Sequence, residues 1–374
     1  MSMVIAVVLI ALAFTYINGF HDTANSIATV VATKVLTPGQ AVLLAAVTNL
    51  AGALWGTAVA ATIASGLIDT GVVDVGSQLL ISALLGATIW NLITWWMGLP
   101  SSSSHALVGG LCGAALAASD GNLHSIIWWQ AGAHWWLGKG VMPKVILPMI
   151  VSPFLGFVIG YLLMGGLYAL LGFFSSRKGP LHRFGRTPFV NSFFGKAQIV
   201  SASAMGLSHG MNDAQKSMGI IALALAGATA AGHFDHLPTI LHFLRIPHDP
   251  AAPGGFPIPV WVKVVCALTM AAGTAGGGWR IIKTLGHKMV KLHPINGFAA
   301  EGSSAAVILT ASMLGVPVST THNVSASIMG VGAAKRWNAI RWSVVERMVW
   351  AWILTLPITA GIGYGLVKLS RLFL

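Results

Sequence analysis

Apolar runs follow one another along almost the whole chain, at about 2–35, 39–65, 78–119, 141–174, 190–232, 258–278, 295–334 and 342–373. Runs of roughly 18 or more apolar residues can cross the ~30 Å hydrocarbon core of a bilayer as helices. Hydrocarbon offers no partner for a backbone N–H or C=O, so a chain of this kind is restricted to segments that satisfy their own hydrogen bonds. A soluble domain is excluded by surface chemistry. Only 8% of the residues are charged and 55% are hydrophobic, against roughly 25% charged in globular domains, and the mean hydropathy is +0.78. The expected fold is an all-α polytopic membrane protein.

A net charge of +12 in a soluble protein would suggest nucleic acid; here the positions of the charges matter more than their sum, and no nucleic-acid partner is expected. Arg177, Lys178, Arg183 and Arg186 cluster in one joint, Arg280, Lys283, Lys288 and Lys291 in a second, and Lys335, Arg336, Arg341 and Arg347 in a third. By the positive-inside rule these joints face the cytoplasm. Segments 66–77 and 233–259 carry Asp69, Asp74, Asp235 and Asp249, with Arg245 the only Lys or Arg in either, and belong outside. The first run has neither a basic leader nor a small-residue cleavage site before its polar motif, so it is expected to be a retained span. Cys112 and Cys266 lie within apolar runs without metal-type spacing and read as small buried side chains.

The two halves of the chain correspond. Residues 19–26, GFHDTANS, match 210–217, GMNDAQKS, at a shift of 191, and 98–105, GLPSSSSH, match 315–322, GVPVSTTH, at a shift of 217. Combined with the loop charges, this order predicts two inverted-topology repeats with broken helices: 1–174, with a broken helix at 2–35 and a re-entrant helical hairpin at 78–119, and 190–374, with a broken helix at 190–232 and a hairpin at 295–334. The basic cytoplasmic loop 175–189 joins them. Both termini then lie outside. Run 190–232 would span about 60 Å as one helix, so it is expected to break at Gly210 or to project from the bilayer. Stretch 122–140, with Trp128, Trp129, Trp135 and Trp136, is left without a crossing and is placed in the outer interface as an aromatic belt.

Interrupted backbone in a membrane is tolerated where it lines protein or water. The breaks at Pro100 and Pro317 carry hydroxyls, from Ser102, Ser103 and Ser104 and from Ser319, Thr320 and Thr321, beside the free N–H groups that begin the next half-helix, which makes an anion site. Paired interruptions in inverted repeats are the best sequence pointer to a transporter's midplane site. Asp22 and Asp213 stand at equivalent positions, and an intramembrane carboxylate, costing roughly 3 kcal/mol even on a lenient scale, is functional by default. Two carboxylates would repel an anion between them unless each holds a cation or a proton. Asn25 shares a helical face with Asp22; Lys216 takes its place in the second copy, either as a built-in counter-ion or as a structural partner of Asp213. Asn212 and His21 precede the aspartates, and His21 could relay protons. Glu301 has no acidic counterpart, since the shift of 217 lands on Leu84, and reads either as part of a proton or ion path or as a strut bonded to backbone or Lys216.

At these residues the chain resembles the inorganic phosphate transporter (PiT) family of secondary transporters over essentially its whole length. The resemblance implies cation-coupled symport of phosphate, with Asp22, Asn25, Asp213, Ser102, Ser103, Ser104, Ser319, Thr320 and Thr321 as the binding set. Sodium-coupled members typically have asparagine before each aspartate and again three residues after it; here His21 and Lys216 depart from that pattern. An ammonium at a sodium position argues against sodium there. The chain therefore looks more like the bacterial low-affinity branch associated with proton symport, in which phosphate travels as a neutral metal complex, with sodium coupling or sulfate as the alternatives. That branch implies the bacterial inner membrane. The expected partners are inorganic phosphate and the lipid bilayer, with no cofactor and no assigned metal site. Faces rich in Gly and Ala allow close packing within one chain or between two, so a homodimer stays open. An intramembrane enzyme, with His21 and Asp22 as base and Ser103 or Thr320 as nucleophile, is disfavoured because enzymes seldom need one constellation twice. A passive channel has no use for the buried carboxylates.

Overall fold

A computed structural model of the 374-residue chain describes all residues except 133–137, 178–179, 250, 253, 277 and 374, and leaves aside the side chains of 23, 180 and 181. Trp135, Trp136 and Lys178 fall outside the described residues or side chains. The described residues form twelve α-helices: α1 (Ser2–Ala32), α2 (Pro38–Ala53), α3 (Ala58–Ser65), α4 (Ser77–Met97), α5 (Ser103–Ala118), α6 (Leu147–Ser176), α7 (Thr187–Ala230), α8 (Val260–Gly276), α9 (Trp279–Lys283), α10 (Pro294–Met313), α11 (Thr320–Lys335) and α12 (Trp342–Ser370). Four helical stretches are long and apolar enough to span a membrane, or six if each bent pair counts as one span. The protein is a multi-pass membrane protein.

The expected breaks in runs 2–35 and 190–232 do not occur. α1 is continuous over 31 residues and α7 over 44, and the chain bends instead between α2 and α3, by 68°, and between α8 and α9, by 59°. The reason lies in what the motif glycines do. A side chain at Gly19 would lie 2.6 Å from the Met270 carbonyl oxygen of α8, and one at Gly210 would collide with the Asn49 carbonyl of α2. These glycines let neighbouring backbones approach, as small residues do between membrane helices, and leave the helical ladder intact. At about 1.5 Å per residue the 44-residue α7 is roughly 66 Å long, about twice the ~30 Å hydrocarbon core of a bilayer. The α2–α3 bend is held by buried Gln215, whose Oε1 accepts from the free N–H groups of Val59 (2.8 Å) and Ala60 (3.2 Å).

Stretches 78–119 and 295–334 are each a helix, a short break and a second helix. α4 packs on α5 and α10 on α11, with breaks at 98–102 and 314–319. Packing partners recur between the halves: α1 lies on α4 as α7 does on α10, α5 on α12 as α11 on α6, and α2 on α7 as α8 on α1. Two apolar cores flank a polar waist. One includes Val4 to Phe14 of α1 and Ala214 to Ala228 of α7, the other Ala24 to Val30 of α1 and Phe194 to Met205 of α7. α1 and α7 therefore run through the molecule in opposite senses and cross at the waist. Stretch 122–140 contains no crossing helix among its described residues; it is tied to the 66–77 segment by Asp69 N–H donating to Ser125 O (2.9 Å) and Ile127 N–H to Leu67 O (2.9 Å).

Candidate functional site

The waist is lined by buried polar side chains, none of Asp22, Asp213, Asn25, Lys216 or the tip hydroxyls being more than 2% exposed. α1 and α7 supply the two aspartates, and α5 and α11 begin there, so four helices deliver the site. Ser102 and Ser319 cap α5 and α11 equivalently, their hydroxyl oxygens accepting the N–H of His105 (3.2 Å) and of His322 (3.1 Å). Each hydroxyl keeps its own proton for a further acceptor. The two tips touch: Ser104 donates to the Val318 carbonyl (3.0 Å), and the His105 and His322 rings pack edge to face 4.8 Å apart.

Asp22 is bonded by hydroxyls from both hairpin tips and by the neighbouring histidine. Ser103 lies 2.5 Å from its Oδ2 and also 2.7 Å from Asn18 Oδ1, while Thr321 donates to its Oδ1 (3.2 Å). Asn25 donates to Thr321 (2.9 Å) and Thr320 (3.2 Å), tying α1 to the second hairpin. His21 Nδ1 lies 2.9 Å from Asp22 Oδ1 and its Nε2 3.1 Å from the Thr94 hydroxyl, which continues to Ser101 (2.8 Å).

Asp213 has charged or chargeable partners. Lys216, wholly buried, donates to its Oδ1 at 2.8 Å, and His209 Nε2 lies 3.3 Å from its Oδ2. His209 Nδ1 in turn lies 3.1 Å from Asn49 Oδ1, and Asn49 donates to Thr274 (3.1 Å). Asp22, His209 and Asp213 each bring one ligand atom within 4.8 Å of the other two, a mixed N/O set that suits a small divalent cation.

Two expected members sit elsewhere. Asn212 faces the first arm of the second hairpin, donating to Ser312 (2.9 Å) and to the Val316 carbonyl (3.4 Å). Glu301, expected to reach backbone or Lys216 if a strut, bonds to neither among the described residues: Thr29, Ser201 (2.5 Å) and Gln198 (3.2 Å) donate to its carboxyl, joining α1, α7 and α10 beside the second apolar core. Sequence reasoning missed Asn18 and His209, although a signal existed. The shift of 191 sets one on the other, each four residues before its aspartate and so on the same helical face. Thr94, Asn49, Thr29, Gln198 and Ser201 carry no comparable sequence signal.

A buried carboxylate met by hydroxyls from both hairpin tips, inside a multi-pass protein, is the arrangement of a membrane transport protein. Residues 18–363 match the model of the phosphate transporter family. The chain is 42% identical over 359 residues to the "probable low-affinity inorganic phosphate transporter" of Bacillus subtilis, covering 96% of this chain and 94% of that one. It is 43% identical over 368 residues to the protein of the same name from Mycobacterium tuberculosis strain H37Rv, covering 98% of this chain and 78% of that one. A solved structure named "The sodium-dependent phosphate transporter" shares the fold over 100% of both chains, with a TM-score of 0.78 at 23% identity. The chain belongs to the phosphate transporter family, and it is a transporter, not an enzyme.

Proposed function

We propose that the chain is a secondary active symporter that takes up inorganic phosphate with protons, built from two inverted-topology repeats, in a bacterial plasma membrane with both termini outside. The names of the bacterial relatives support phosphate as the substrate and low affinity as its regime. The observation that carries proton coupling is the 2.8 Å bond from Lys216 to Asp213. It places a fixed ammonium where the first copy has Asn25, so the second aspartate is neutralised without a mobile cation. Asp22, bonded to hydroxyls and His21 with no lysine or arginine paired to it among the described residues, and Glu301, bonded by three neutral donors, are the carboxyls left to carry protons. Substrate oxygens are held by Ser102, Ser103, Ser104, Ser319, Thr320 and Thr321 together with Asn25 and Lys216, at the N-termini of α5 and α11, where unpaired N–H groups favour an anion. The Asp22, His209 and Asp213 cluster supports a metal–phosphate complex as the species carried.

A sodium-coupled cycle is the second reading. It is favoured by the Asn25 carbonyl oxygen, buried beside Asp22 and without a hydrogen-bond partner among the described residues. Radiolabelled phosphate uptake into proteoliposomes, with a pH gradient and a sodium gradient imposed separately and excess sulfate as competitor, decides between the two. Uptake driven by the pH gradient and indifferent to sulfate is expected; uptake that requires sodium overturns the role given to Lys216.

A further inference from the structure

The C-terminal end of each hairpin's first arm exposes carbonyls that have no helical partner. Each end is held by one threonine hydroxyl and one cation from the opposite half of the chain. At the first tip, Thr284 donates to Gly98 O (3.0 Å) and Arg280 to Trp96 O (2.6 Å). At the second, Thr62 of α3 donates to Gly315 O (2.6 Å), and Lys144, just ahead of α6, donates to Leu314 O (3.3 Å).

The two clasps differ in their surroundings. Arg280 is exposed, whereas Lys144 is 8% exposed and lines a cavity of about 110 Å³ with Lys139, Thr62, Ser65, Gly66 and Gly254. An ammonium has three donors, and a single acceptor, the Leu314 carbonyl, is found for that of Lys144 among the described residues. Neither Lys144 nor Lys139 pairs with a carboxylate among those residues. A nearly buried ammonium left this way is costly, and an anion would complete its donors. The cavity is far smaller than the ~300–1,000 Å³ of sites for drug-sized ligands, so the anion is small. Its wall belongs to the face shared by segments 66–77 and 233–259.

We propose that this cavity is an outer docking site for phosphate, and that Lys144 is shared between the anion and the second hairpin tip. Arriving phosphate draws the ammonium from the Leu314 carbonyl and loosens the end of α10. The Val316 carbonyl, held by Asn212, then follows, and the way to Asp213 opens. The inference rests on phosphate as substrate and on this face being external.

Two measurements test it. In proteoliposomes, Lys144→Gln is expected to raise the half-saturating external phosphate about tenfold, the change expected on losing one charged contact, while Lys144→Arg stays within about threefold because the charge is kept. In a Cys112→Ala, Cys266→Ala background, Val316→Cys is expected to react faster with an impermeant maleimide when phosphate is added outside, and to lose that acceleration with Lys144→Gln. Unchanged half-saturation in Lys144→Gln overturns the proposal. So does equal loss in both lysine variants with labelling indifferent to phosphate, which would make Lys144 a structural strut. If the wild-type chain takes up no phosphate, the parent reading fails, and phosphate-dependent labelling still decides whether the outer site binds.

Discussion

Asp22 and Asp213 occupy the same position in two copies of one motif, yet the protein treats them differently. Asp22 receives hydroxyls from both hairpin tips and a histidine one residue earlier, with no lysine or arginine paired to it among the described residues. Asp213 receives a lysine three residues later and a histidine four residues earlier, with no hairpin hydroxyl bonded to it among the described residues. A buried charge must be paired or neutralised; Lys216 does this for the second aspartate, and under the proposed cycle a proton does it for the first. The two motifs differ at single positions, Asn25 against Lys216 and Asn18 against His209, and the second aspartate is held in a fixed pair. Under the proposed proton-coupled cycle, the copy with hydroxyl donors is the one expected to couple.

The largest expected effect follows from removing that copy's carboxylate. Asp22→Asn deletes an acceptor of charge-assisted bonds worth about 1.5–3 kcal/mol each and should lower phosphate uptake by roughly ten- to a hundredfold, measured as initial rate at saturating phosphate. Uptake within twofold of wild type would show that the coupling charge lies elsewhere. The comparison sharpens with Lys216→Asn, which makes the second motif resemble the first. Breaking a buried pair by removing one partner costs about 3–5 kcal/mol, so the variant should melt lower than wild type. Its melting temperature should then rise with added sodium, through binding to the vacated partner of Asp213, while wild type stays flat. Sodium stabilising both proteins equally would mean that Lys216 never stood in for a cation.

The parts of this arrangement that repeat were readable in the sequence, and the parts built once were not. Two matched motifs in the same order located Asp22, Asp213 and both hairpin tips, because each is a departure from an apolar background that hydrocarbon penalises. Gly210 misled, since a glycine in a long apolar run reads equally as a break or as a point of close approach, and only its neighbour, the Asn49 carbonyl, decides. The real bends fell between α2 and α3 and between α8 and α9, where the first depends on Gln215 reaching across from another helix. The same limit hid the surroundings of Glu301: Thr29, Gln198 and Ser201 come from two helices far apart in sequence, and no spacing rule links them.

The hairpin bases give a smaller version of the same asymmetry. After the first hairpin, Asp120 accepts from Lys368 (2.7 Å) and Arg371 (2.7 Å) of the C-terminal helix end; after the second, Arg336 and Arg341 have no carboxylate partner among the described residues. The Lys368 and Arg371 hydrogen bonds, with their charges, hold the Asp120 carboxyl below the usual carboxylate range. A depressed carboxyl contributes stability that is fully present above its ordinary value of about 3.9 and is lost as pH falls through its folded value. The group is exposed, so solvent and salt screen most of the gain. Asp120→Asn should therefore lower the melting temperature at neutral pH only slightly, by less than Lys216→Asn does. That difference should shrink in high salt, and shrink again as the pH is brought below the ordinary carboxylate range. A difference that persists under both conditions would mean that Asp120 acts through packing of the 118–121 turn, whose Ala118 carbonyl also accepts from Arg371 at 2.7 Å, and that the charge asymmetry between the two bases is incidental.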